Sequence, residues 1–163
     1  MISKSPIEVF RTDKQLQDTL LAWKERLMLG DWTIVAQLKP LDELKIENGL
    51  QAVGESEVDF INKNSMIHIC DGRERPISAE RFCAEEILVH ELLHCKYNVI
   101  HDDESYEGVM LDVNQHQLLE EMAKSLMMAR YDLPFEYWKN PFWNTDLAVE
   151  WNKDEYIENK ISL

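Results

Sequence analysis

Residues 89–94 read VHELLH, that is Val89, His90, Glu91, Leu92, Leu93 and His94. On a helix, residues four apart share a face, so His90 and His94 point the same way and both reach one metal ion. Neutral imidazoles bind zinc well. Glu91 lies about 100° further round the helix, beside such an ion rather than on it. A carboxylate there can take a proton from a water that the metal activates and later pass it to a leaving amine. The neighbours Ile87, Leu88, Leu92 and Leu93 set this polar triplet into a largely apolar helix. Burying two histidines and a glutamate without partners is costly, and a bound metal supplies the partner. An exposed helix with two stray histidines fits that setting poorly.

Working outward, the spacing predicts this helix over 78–100, after Pro76 and with Ser78 as its N-cap. Upstream, Leu16, Leu20, Trp23 and Leu27 recur at helical spacing in residues 12–29. Thr12 with Gln15 suits a capping box there, and Gly30 suits the stop. The β-branched stretch 32–38 reads as a strand, 50–60 as a weaker one with Gly54 as a bulge, and 65–70 (SMIHIC) as a third, closed by Asp71-Gly72. Downstream, 101–110 (HDDESYEGVM) reads as a polar loop and 111–131 as a helix that ends before Pro134. Three of the five tryptophans lie in the acidic tail, 135–163, which shows little periodicity. The expectation is one α+β domain over 1–134, with a tail that covers the core.

The bulk properties narrow the classes. The chain has 163 residues, 45% of them hydrophobic and 29% charged, as expected of a soluble globular protein large enough to bury a core. No apolar leader and no membrane-length apolar run is present. The three cysteines, Cys70, Cys83 and Cys95, form no CxxC pair and read as reduced thiols, which places the protein in the cytoplasm. A net charge of −14 argues against direct binding of nucleic acid. It leaves open an acidic surface that is itself functional, as in an inhibitor that imitates DNA.

A catalytic zinc site takes three protein ligands and leaves one position open. Three residues on the 111–131 helix compete for the third place. Taking Leu119 as the centre of the apolar face, His116 falls about 60° away, Glu120 about 100° and Glu121 about 200°. Glu121 therefore faces solvent, while His116 and Glu120 can look toward the active helix. Glu120 can also orient His116 from behind.

The HExxH motif resembles that of the zincin metallopeptidases. The order of helix, small sheet, HExxH helix and further helix over roughly 12–133 is similar to their minimal fold. That resemblance implies a small, mostly antiparallel sheet of about three strands, with SMIHIC as the edge strand beside the cleft. The metzincin pattern HExxHxxGxxH is not met, because Tyr97 stands at its glycine and Ile100 at its histidine, with His101 one residue late. The stretch 116–129 (HQLLEEMAKSLMMA) is similar to the ExxANxFAxxLLMP helix of ImmA/IrrE-like metallopeptidases. Leu119, Met122, Ala123, Leu126, Met127 and Met128 match, and the ligand position falls on His116, with His in place of Glu. The arrangement also resembles small phage- or prophage-encoded metallopeptidases. Together these imply a zinc hydrolase of peptide or protein substrates, with His90, His94 and His116 on the metal and Glu91 as general base. A catalytically inactive zinc-binding interaction protein of phage type is the alternative. Among the remaining residues, His68 reads as structural, Cys95 as a buried thiol, and Tyr97, Tyr106 and Tyr131 as unranked oxyanion donors.

Overall fold

A computed structural model describes residues 5–47, 50–72, 82–97 and 106–139. Helix α1 spans Asp13–Arg26 and starts where expected: Thr12 Oγ1 accepts the Gln15 N–H at 3.1 Å. Gln15 Oε1 reaches back to the Arg11 N–H at 2.9 Å, one residue before the cap, so the expected box is closed on Arg11 rather than on Thr12. Leu16, Leu20 and Trp23 are buried along one face, as their spacing predicts. The stop is not Gly30. Met28 adopts φ 53°, and the N–H groups of Met28 and Leu29 close onto Glu25 O and Lys24 O at 3.1 and 2.8 Å. This is a Schellman turn with methionine where glycine is favoured. The long helix at the other end closes in the same way, with Asp132 at φ 52° and Leu133 N–H on Met128 O at 3.2 Å.

The chain is an α+β fold around a mixed sheet. Strands β1 (Thr33–Lys39), β4 (Gly54–Asp59) and β5 (Asn64–Cys70) lie in the order β1-β5-β4. β5 pairs parallel with β1 and antiparallel with β4. Between β1 and β4 run a short 3-10 turn (Leu41–Glu43) and a two-stranded antiparallel ribbon of β2 (Ile46–Glu47) and β3 (Leu50–Gln51). Several sequence expectations change here. The three-stranded sheet is mixed, not mostly antiparallel, because β5 runs parallel to β1. SMIHIC is the central strand, not the edge; β4 is the edge beside the helix that carries His90 and His94. Gly54 makes no bulge, because the register runs unbroken from Gly54↔Ile69 to Asp59↔Asn64. The weak strand over 50–60 is two strands, β3 and β4.

Helix α2 spans Ala84–His94, α3 spans Tyr106–Tyr131, and a last turn α4 spans Glu136–Lys139. The N-cap of α2 is Cys83, in extended backbone (φ −140°, ψ 106°), so the helix does not run through from 78. Ser78 lies outside the described residues. α3 begins at Tyr106, inside the stretch read as a loop, with Gly108 carried in its first turn. α2 packs on β4 and β5 and against α1 and α3. That encirclement buries every residue of α2 except His90 and His94, which are half-buried. Leu119, Ala123 and Met127 of α3 join Leu88, Leu92 and Leu93 of α2 in the common core. Tyr137 and Trp138 also enter that core, so the start of the tail packs onto the domain; residues 140–163 lie outside the described residues. No helix among the described residues is long and apolar enough to cross a membrane.

Candidate metal centre

The site depends on how α2 is anchored at its other end. The first helical N–H groups are taken by the N-terminal segment: Ala84 N donates to Glu8 O at 2.9 Å and Glu85 N to Ile7 O at 3.0 Å. This satisfies donors that a helix N-terminus otherwise leaves open. Glu85 is completely buried. Its carboxylate accepts from Trp23 Nε1 at 2.7 Å, Tyr131 Oη at 2.6 Å and Ile7 N at 2.9 Å. Arg130 Nη1 stands 3.3 Å away, its guanidinium over the Trp23 and Tyr131 rings. One carboxylate thus joins α1, α2, the N-terminal segment and the end of α3. Tyr137 donates to the buried Glu8 and adds α4 to the same end.

At the C-terminal end of α2 the i, i+4 spacing brings the rings of His90 and His94 to 5.2 Å. α3 supplies a third ring: His116 lies 6.0 Å from His90, nearly parallel to it, and 5.1 Å from His94. His116 sits one turn before the buried Leu119, Ala123 and Met127. At three- and four-residue spacing that row faces α2. One ring nitrogen from each histidine lies within 4.8 Å of the others, so the half-buried group can hold a metal ion. Burial, followed by the neighbouring His116, pushes the His90 imidazole down to about 4. His90 is therefore neutral at pH 7, the form that ligates. Nitrogens bound to one tetrahedral zinc stand ~3.3 Å apart, a contraction that side-chain rotation can supply.

Glu91 is 5% exposed and lies against β4. A cleft of about 270 Å³ runs between α2 and β4, lined by Lys45, Ala52, Gly54, Glu55, Ser56, His90, Glu91, His94 and His116. Sequence reasoning missed Lys45, Ala52, Glu55 and Ser56 as cleft residues, and of these Glu55 has the most partners to its side chain. It pairs across the strands with His68, whose Nδ1 is 2.9 Å from its Oε1. It also accepts from Lys39 Nζ and the Lys45 N–H, each at 3.2 Å. Burial pushes the Glu55 carboxyl up, but the Lys39, Lys45 and His68 hydrogen bonds outweigh it and hold the group below the usual range.

The other residues singled out earlier divide cleanly. Glu120 pairs with Lys124, and its charge acts on His90. Glu121 is exposed and bonded to Gln117 at 3.2 Å. His68 braces Glu55 and is not in the three-histidine group. Cys95 is a buried free thiol, and burial raises its pKa. Tyr131 donates to Glu85 at the far end of α2, so it is not an oxyanion donor at this cleft. Tyr97 is half exposed. His101 and the Tyr106 side chain lie outside the described residues. Against known proteins, the chain matches no family model, no curated protein and no solved structure.

Proposed function

We propose that the protein is a zinc-dependent peptide hydrolase, with His90, His94 and His116 holding the metal and Glu91 as general base and acid. One observation carries the reading: three imidazole donors from two helices converge within 4.8 Å in a cleft that also holds a buried carboxylate one residue from the first of them. Three imidazoles suit zinc, and a structural zinc site closes its fourth position with a protein ligand. Three protein ligands is the number a catalytic zinc site takes, and three is the number brought together here. Zinc, when bound, supplies Lewis acidity and lowers the pKa of water at its open position.

The chain's own residues do the rest. The imidazoles fix where the reacting water and the scissile carbonyl meet. Glu91 removes a proton from that water and delivers it to the departing amine nitrogen. Its low exposure keeps bulk water from competing for the proton. A peptide or protein substrate fits a cleft bordered by a strand edge, because an extended chain can pair with that edge. The test is hydrolysis of a mixed peptide library by zinc-loaded protein, with Glu91→Gln beside the wild type. Cleavage that falls at least about 100-fold in Glu91→Gln, on the order expected of a general base, supports the reading. Cleavage unaffected by that change, or none from the wild type, overturns it.

A further inference from the structure

Gly54 opens β4 and pairs in register with Ile69. Its backbone is outside the left-handed region, so strand geometry by itself does not require glycine there; alanine would be favoured for its lower unfolded-state entropy. The space above it is what forbids a side chain. A Cβ at this position would lie 2.5 Å from Ile87 Cγ2, 2.7 Å from Glu91 Oε1 and 3.3 Å from Glu91 Cδ. All three atoms belong to α2, and both residues are buried, Ile87 at 7% and Glu91 at 5% exposure. The Glu91 carboxylate therefore rests directly on the backbone of the edge strand. Glycine in a strand commonly marks such a close approach.

We infer that Gly54 is the positioning residue for Glu91: its missing side chain lets the carboxylate lie against β4, in the cleft that His90, His94 and His116 also line. The inference rests on the hydrolase reading given above. A general base has to stand within hydrogen-bond reach of the proton it takes, ~2.6–3.2 Å. A Cβ at 54 would push Oε1 away, since non-bonded atoms do not approach to 2.7 Å without hydrogen bonding. A shift of about 1 Å in a catalytic group costs roughly 100-fold in rate. None of the three histidines is among the atoms nearest a Cβ at 54, so the metal ligands would keep their places.

The test uses the full chain loaded with zinc. Ile87→Ala removes the nearest contact, so Gly54→Ala made in that background meets the Glu91 carboxylate first. Its kcat should fall about 100-fold relative to Ile87→Ala, with KM and zinc content unchanged. Thermal melting gives a readout that needs no activity. In the Ile87→Ala background, Gly54→Ala should lower the midpoint; with Glu91→Ala also present, it should leave the midpoint unchanged or raise it. Unaltered kcat, or the same fall in midpoint with and without the Glu91 side chain, overturns the inference. If the wild type cleaves nothing, the hydrolase reading falls on its own, and the melting comparison still decides whether Gly54 places Glu91.

Discussion

Replacing Glu85 with alanine should unlock the end of the molecule opposite the cleft. The carboxylate is completely buried and has three hydrogen-bond donors at 2.6–2.9 Å and the Arg130 guanidinium at 3.3 Å. Hydrogen bonds to a charged acceptor are each worth about 1.5–3 kcal/mol and do not add simply. Removing one member of a buried ion pair costs about 3–5 kcal/mol, because the other charge stays buried. Here the indole N–H, the phenol and the Ile7 N–H are stranded with Arg130. The expected loss is therefore ~4 kcal/mol, a large share of a typical total of about 5–15 kcal/mol. For a chain of this size it corresponds to a midpoint lower by roughly 10 °C. Arg130→Met should cost less, since Glu85 keeps three donors. Urea denaturation of the metal-free proteins measures both. A Glu85→Ala loss under about 1 kcal/mol, typical of a surface change, or a larger loss in Arg130→Met, would refute the claim that this carboxylate holds the helices together. Because α3 is docked through Tyr131 and Arg130 and carries His116, Glu85→Ala should also weaken zinc binding without touching a ligand.

Met28→Gly should raise stability by about 1 kcal/mol, because the left-handed position that ends α1 strains any side chain; calorimetry showing a loss would mean that Met28 contributes packing despite being 79% exposed. The metal-free protein should weaken in mild acid. His90 titrates at about 4 when folded and near 6.5 unfolded. The unfolded chain therefore binds more protons between these values, and stability falls as pH drops through that window, by roughly 2 kcal/mol from pH 7 to about pH 5. Equal urea midpoints at the two pH values would contradict this. Glu55 works with the opposite sign. Its folded pKa is depressed, so its contribution is present above the unfolded carboxyl pKa and is lost as pH falls through the folded one. Glu55→Gln should therefore flatten the acid limb of a stability profile, and an unchanged limb would remove the bracing role.

Reading the sequence succeeded where the signal was local. The Thr12 cap, the buried face of α1 and the i, i+4 histidines follow from periodicity and short-range hydrogen bonding. Helical geometry put His116 about 60° from Leu119, within the arc that Leu119, Ala123 and Met127 in fact bury, while Glu120 turned to Lys124. Some failures are local, as where Met28 rather than Gly30 ends α1 and where α3 starts early at Tyr106; the failures that bear on the site involve long-range partners. SMIHIC alternates in the same way whether it is central or at an edge, and only its pairing with both β1 and β4 distinguishes the two. Gly54 is visible in the sequence, but the α2 side chains that cross it are not. Glu55 enters the cleft through its register opposite His68, and nothing in the sequence marks Glu85 among the acidic residues of its helix as the one bonded by Trp23, Tyr131 and Ile7. Ser78 suited a cap by type, yet the N-terminal segment takes the first N–H groups of α2 and Cys83 occupies the capping position.

The central claim is that three histidines from two helices make one metal site. Zinc content measured on protein purified without chelator tests it directly, with His90→Ala, His94→Ala and His116→Ala compared with the wild type. The account predicts one zinc per chain in the wild type and loss of tight binding in each variant, with Cys95→Ala and Glu120→Gln retaining the metal. Full zinc content in His116→Ala, or its loss in Cys95→Ala, would contradict it.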